Sequence, residues 1–412
     1  MDILQKNSEP KSKSLNLHIS DNINLIVKGQ GVFVFSTDNI ENCHFSIYNI
    51  DKTDGIKITM TTNQILVCRI GILAPYTDAS NNSGLSLLKG AYYWFSLDSQ
   101  NQMLHFGIGE TRIETVIYSY KFRFDFERDD LRKEHKHFLE SLTNIHINEH
   151  IKPIRLLRDP IICNIPLLVK DNISMYDIAT SRYMPKSNLS LVSQKLYDCI
   201  AGSNFILDTE DFPDFSKAIE QSIINPNGWC YKQLLKKANE FNKDTPKFFL
   251  SNETYLRITL GQNNGESPGI PYVMEIWPMG HYSPIHNHAG AEAIIRVLHG
   301  TINVSLYPFL CNDMIKFGEA NFTKDDITWI SPTLNQTHKL MNKDSNNVCI
   351  TIQCYMYNNE DSSHYDYFDY LDSNNNIKQY EPDSDMDFVD FKNLMMKEWN
   401  ETNNYKRFVC CL

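Results

Sequence analysis

Gly280 to Gly300 read GHYSPIHNHAGAEAIIRVLHG, a His-x-His pair between a glycine-bearing entry and a glycine exit. The stretch reads as β-structure, and successive side chains of an extended chain alternate faces. His286 and His288 therefore point to the same side. Two imidazoles on one face chelate one metal only if a third ligand arrives from elsewhere in the chain. The rest of the sequence has to supply it.

The chain is 412 residues long, enough for two domains, and carries a net charge of -11. That charge argues against nucleic acid or an anionic membrane as partner. The start, MDILQKNSEPKSKS, lacks the apolar run of a signal peptide, and no uninterrupted apolar stretch has membrane-spanning length. The expectation is a soluble cytoplasmic protein. Its 10 cysteines are scattered without a C-x-x-C pair, as expected of free thiols in a reducing compartment. The ending FVCCL is no prenylation signal, because Val409 stands where cysteine is required. Cys410 and Cys411 read as an inert tail, with palmitoylation the alternative.

Short β-rich runs fill residues 15 to about 125, among them GVFVFST, HFSIYNI and GIKITMTT, separated by turn residues. That is the pattern of an antiparallel sandwich. A charged helical stretch follows, FERDDLRKEHKHFLESL, then IRLLRDPIICNIPLLVKD, expected to return a strand to the first domain. From Ile173 to about Phe241 the reading is helical, and from Tyr255 to about Tyr357 short strands dominate again. The acidic, aromatic tail ends in a helix near DFVDFKNLMMKEWNE. The fold expected is mainly β: a sandwich over 12–170, then a second β-domain over 173–412 with a helical lead-in.

After Gly300 come TINVSLYPFL, a loop, and DDITWISPTLNQTHKLMN. A first motif on one hairpin, a loop and a second motif with one more histidine is how a cupin β-barrel runs. His338 is the natural third ligand, and Asn342 stands behind it. The alternative is a set of polar barrel histidines with no metal.

The segment from Tyr255 to Tyr365 resembles the cysteine dioxygenase family of thiol dioxygenases, cupins that use non-haem iron. The family's metal ligands fall on His286, His288 and His338, and its catalytic tyrosine on Tyr355 in CITIQCYMY. Its carboxylate-binding arginine falls on Arg257, with Tyr255, in TYLRITL. The resemblance implies Fe(II), O₂ and a small carboxylated thiol, cysteine first, as substrate, with a sulfinic acid as product. Three neutral imidazoles leave open positions for such ligands, and an arginine clamps a carboxylate by a planar two-pronged contact.

Two departures from the family stand out. Ala293 occupies the place of the cysteine that many animal members crosslink to the tyrosine, so no crosslink is expected. The family's Ser-x-His-x-Tyr relay reads Thr351, Gln353 and Tyr355; glutamine hydrogen-bonds near the substrate but carries no proton. Glu292 has the spacing of a general cupin fourth ligand, and inward parity there would imply a three-His-one-Glu site with other chemistry. The alternative function is a metal-binding cupin, non-catalytic or of different chemistry, fused to a carbohydrate- or protein-binding sandwich.

His281 and His299 read as barrel-end or surface residues, His364 as structural, His135 and His137 as solvated, and Cys349 and Cys354 as buried. In the first domain, GAYYWFSLDSQNQMLHFGIGE resembles the core of the farnesoic acid O-methyltransferase-like domain. No glycine-rich loop follows a strand there, so methyl transfer from a Rossmann site is not expected.

Overall fold

The computed structural model describes residues 12–15, 23–39, 41–61, 64–71, 91–122, 129–241, 252–261, 267, 271–312, 314–358 and 367–410. The tail residue Cys411, His364 and the N-terminal segment lie outside them, as does the side chain of Cys410. The chain divides into two compact units, Met1–Ile165 and Pro166–Leu412.

The first unit is built from two antiparallel sheets. One orders strands Ser12–Ser14, Ile151–Leu157, Gln30–Thr37, Tyr92–Asp98, Met103–Ile108 and Val116–Lys121. The other orders Ile23–Asn24, Leu142–Ile147, Asn42–Asn49, Gly55–Thr61 and Ile65–Arg69. Alternation along Gln30–Thr37 sends Phe33 and Phe35 onto Phe45 of the other sheet, with ring centroids 5.4 and 5.5 Å apart. Gly107 is required by sterics, because a Cβ there would sit 2.1 Å from the buried Trp94 ring. The charged stretch forms helix Asp129–Ser141.

The run after that helix splits between the units. Ile151–Leu157 pairs with Gln30–Thr37 in the first, whereas Leu168–Lys170 pairs with Ile327–Ile330 in the second. The segment expected to return a strand to the first domain does so through Ile151–Leu157, and its later part enters the second unit.

In the second unit an eight-stranded sheet runs Tyr183–Pro185, Leu168–Lys170, Ile327–Ile330, Glu292–His299, Cys349–Met356, Tyr272–Trp277, Leu256–Gly261 and Met386–Asp387. Opposite it lie Gly318–Thr323, Thr301–Tyr307 and Thr337–Met341, and the hairpin Phe368–Leu371 with Ile377–Tyr380. Trp277 and Val297 of the large sheet pack on Ile302, Val304, Leu306 and Leu340 of the small one, so the core lies between the two inner faces. The unit is mainly β, and among the described residues its sheets do not close into the continuously hydrogen-bonded barrel expected from the sequence. The crossing between them turns on Gly300, whose φ of +72° and 2.4 Å clearance from the Val348 carbonyl leave no room for a side chain.

Helices cover the outside of the large sheet. Leu191–Ile200 packs behind Glu292–His299, while Phe215–Ile224, Trp229–Phe241 and Phe388–Cys410 converge on the buried Phe391 ring. Among the described residues no helix is long and apolar enough to cross a membrane.

Candidate metal centre

The His-x-His pair does not sit within a regular strand. It lies on an extended segment held by single bridges, His286 opposite both His338 and Tyr370. His286 and His338 exchange backbone hydrogen bonds in both directions, each 3.1 Å, so the segment acts as an extra strand beside Thr337–Met341. Residues directly opposite in such a ladder share a face, and His288 follows by period two. The chain then leaves the sheet at once, through Ala289 at φ +53° and Gly290 at φ +76°.

The three imidazoles converge. Their ring centroids lie 4.5–4.9 Å apart, and one nitrogen from each falls within 4.8 Å of the others. His286 Nδ1 is 3.0 Å from the Pro284 carbonyl and His288 Nδ1 is 2.9 Å from the Gln336 carbonyl. A carbonyl only accepts, so each Nδ1 carries the proton and each Nε2 keeps a lone pair. Nε2 of His288 and of His338 is buried without any hydrogen-bond partner. Unpaired buried lone pairs are costly unless something binds them. Burial lowers all three pKa values, His286 to about 4 and the other two well below the ordinary imidazole value. Mutual repulsion lowers His288 and His338 further. The set is thus neutral and preoriented, which is the donor chemistry of a divalent transition metal.

Glu292 stands outside the histidine group. Parity along Glu292–His299 turns Ala293 and Ile295 inward beside Tyr355 and turns Glu292 the other way. There its carboxylate accepts from the Ser190 and Ser193 hydroxyls at the start of helix Leu191–Ile200. A carboxylate at a helix N-terminus is well placed electrostatically, and this settles the inward-or-outward question that spacing left open. Asn342 does not support His338 either. Its amide donates to the Trp277 and Asn347 carbonyls, both at 2.9 Å, and so ties a turn to the sheet.

A cavity of about 550 Å³ opens beside the triad, bordered by His286, Arg257, Gln353, Tyr355 and Tyr255. His338 instead borders a small apolar cleft, and Gln353 lines both spaces. The Tyr355 ring lies nearly parallel to His288 with centroids 5.9 Å apart, and Tyr255 stacks on Trp277 at 4.1 Å. The structure thus brings together every residue singled out as ligand or substrate contact. Ala293 packs against Tyr355 and offers no sulfur for a crosslink.

One neighbour was not anticipated. Glu275 stands directly across the strand pair from Arg257. Its Oε1 lies 3.2 Å from Arg257 Nε, and both side chains are buried. Its Oε2 accepts from Gln353 Nε2, and Gln353 Oε1 accepts from the Tyr355 hydroxyl. When ionised, this carboxylate only accepts, which fixes the amide orientation and commits the tyrosine proton to the glutamine. Burial pushes the Glu275 carboxyl up to about 7, with Arg257 and Lys237 pulling it back. The readable signal was YVMEIW, an acid sharing a strand face with Val273 and Trp277.

His137 is exposed as expected, whereas the His135 ring packs against Phe122 and is only half-exposed. His281 Nδ1 bonds the Thr254 carbonyl at 2.7 Å, and His299 lies 3.1 Å from Glu220. Burial pushes the Cys349 and Cys354 thiols far up, so neither is a thiolate.

No family model matches the chain. Among solved structures, part of the chain is similar at low level to several cupins. A cupin-2 domain of an XRE-family transcriptional regulator from Enterobacter cloacae matches at 16% identity, TM-score 0.17, over 21% of this chain and 80% of that one. An oxalate oxidase in complex with the substrate analogue glycolate matches at 15% identity, TM-score 0.18, over 20% of this chain and 40% of that one. The DMSP lyase DddQ from Ruegeria pomeroyi DSS-3 matches at 16% identity, TM-score 0.20, over 27% of this chain and 50% of that one. At these scores the likenesses carry no argument about activity.

Proposed function

We propose that the protein is an iron-dependent thiol dioxygenase that converts a small thiol and O₂ to the sulfinic acid. The observation that carries this reading is the triad: three neutral imidazoles, two of them with buried unpartnered Nε2 atoms, and among the described residues no carboxylate grouped with them, next to a cavity bordered by Arg257, Gln353 and Tyr355. His286, His288 and His338 would hold Fe(II), which supplies the binding of the thiolate and the activation of O₂. The chain supplies the rest. Tyr355 and Gln353 place polar atoms beside the triad, Tyr255 walls the cavity, and Arg257 orients the far end of the substrate. Cysteine and 3-mercaptopropionate are candidate substrates through a carboxylate directed at Arg257, where Glu275 opposes it. The eight described cysteines are all free, which suits a reducing cytoplasm. The first unit is assigned a binding role, for carbohydrate or protein.

One observation favours a second reading, a metal-binding cupin with other chemistry or none: Glu275 already holds Arg257. Oxygen uptake by the iron-loaded protein on cysteine, 3-mercaptopropionate and cysteamine decides between them. The proposal expects thiol-dependent uptake and a product heavier by two oxygen atoms. Stoichiometric iron without uptake on any thiol leaves the second reading.

A further inference from the structure

We propose that Glu275 is a specificity-determining residue: a resident carboxylate that competes with a substrate carboxylate for Arg257 and so shifts the cavity toward thiols with a neutral or cationic far end. The inference rests on the thiol-oxidation reading for the class of ligand, and on geometry for the rest.

A planar two-pronged contact needs two neighbouring guanidinium nitrogens facing the ligand. Arg257 Nε lies 3.2 Å from Glu275 Oε1 as a charge contact without the angle of a hydrogen bond, and Nη1 donates to the Asp383 carbonyl at 3.3 Å. Among the described residues no hydrogen bond engages Nη2. An incoming carboxylate therefore meets a partly engaged guanidinium with a like charge beside it. Glu275 cannot easily leave, because its second oxygen is held by Gln353 and its strand is paired on both sides, with Leu256–Gly261 and Cys349–Met356. An ammonium or a neutral end group meets no such repulsion. The cavity also exceeds what a single small thiol fills, leaving room for a longer end group to pass Arg257 toward Gln233 and Lys237 of helix Trp229–Phe241.

The test measures equilibrium binding of propionate, 3-mercaptopropionate and cysteamine to the full-length, metal-loaded protein at pH 8, where Glu275 is ionised. In Glu275→Gln, propionate and 3-mercaptopropionate should bind on the order of ten-fold more tightly, and cysteamine more weakly. That is a modest share of the repulsion between like charges a few ångströms apart at an effective dielectric of about 20. Glu275→Asp retains the charge and withdraws it by a methylene; it should shift affinities the same way by less, and it serves if the glutamine variant does not fold. In Arg257→Met/Glu275→Leu the gain for anions should vanish, because its acceptor is gone. Affinities for anion and cation that move together, or that do not move, would make Glu275 purely structural and overturn the inference. Propionate carries no thiol, so its tightening in protein that oxidises no thiol would uphold the role of Glu275 and reject the dioxygenase reading alone.

Discussion

The Arg257–Glu275 pair makes an asymmetric prediction about stability. Two unit charges 3.2 Å apart attract by about 5 kcal/mol at an effective dielectric of about 20, before desolvation is subtracted. Removing one partner of a buried pair typically costs about 3–5 kcal/mol, because the other is left charged and dry. The two deletions should differ here. In Glu275→Gln, Arg257 is 2% exposed and cannot lose its proton, so the full cost is expected. In Arg257→Met, Glu275 escapes by protonating. Its carboxyl already stands near 7 with the arginine present, and Arg257 is among the groups holding it down. At pH 6 the loss in Arg257→Met should be about 1–2 kcal/mol, the neutral acid keeping its glutamine contact. Its pKa lies above the unfolded value, so that variant should gain stability as pH falls from 8 to 6 and lose it as pH rises. Arg257→Met/Glu275→Leu should return to within about 1 kcal/mol of the parent, since an apolar pair of similar volume often matches a buried ion pair. Denaturant unfolding of these four proteins together with the single variant Glu275→Leu, followed by tryptophan fluorescence, closes the cycle. Additive losses at both pH values would show that the two residues do not act as a pair.

Other predictions follow from the triad and its surroundings. His338→Ala should lose most bound iron by metal analysis, whereas Glu292→Gln should keep it and cost about 1–3 kcal/mol through the Ser190 and Ser193 hydroxyls left behind. Tyr355→Phe should retain iron but slow oxygen uptake, and the parent should run as one uncrosslinked band on a denaturing gel. The metal-free protein should lose stability as pH falls from about 6.5 toward 4, because the unfolded chain binds protons that the buried imidazoles refuse. His286 alone, held near 4, contributes on the order of 3 kcal/mol across that window. Added metal should remove much of that loss, measured as melting temperature against pH.

How much of this was legible in the sequence depends on whether the signal was local. Period two put His286 and His288 on one side, the glycines marked the turns, and the order of runs exposed two β-rich halves with helices between them. Those features depend on a few consecutive residues, and chain sterics decide them. Whether His338 reaches the pair depends on a ladder between segments far apart in sequence, supplied by the small sheet. Glu292 shows the limit most clearly. Its spacing from the His-x-His pair suited a ligand, yet the chain turns at Ala289 and Gly290 before the strand begins, which resets the parity and sends the carboxylate to a helix cap. The pairing of Glu275 with Arg257 was hidden for a related reason. Nothing near Arg257 in sequence announces an acid, and only the register of Leu256–Gly261 against Tyr272–Trp277 sets the two charges face to face. The sequence by itself determined which side chains were available for metal and substrate. Tertiary pairing decided which of them meet, because a register shift of one residue reverses every face in a strand.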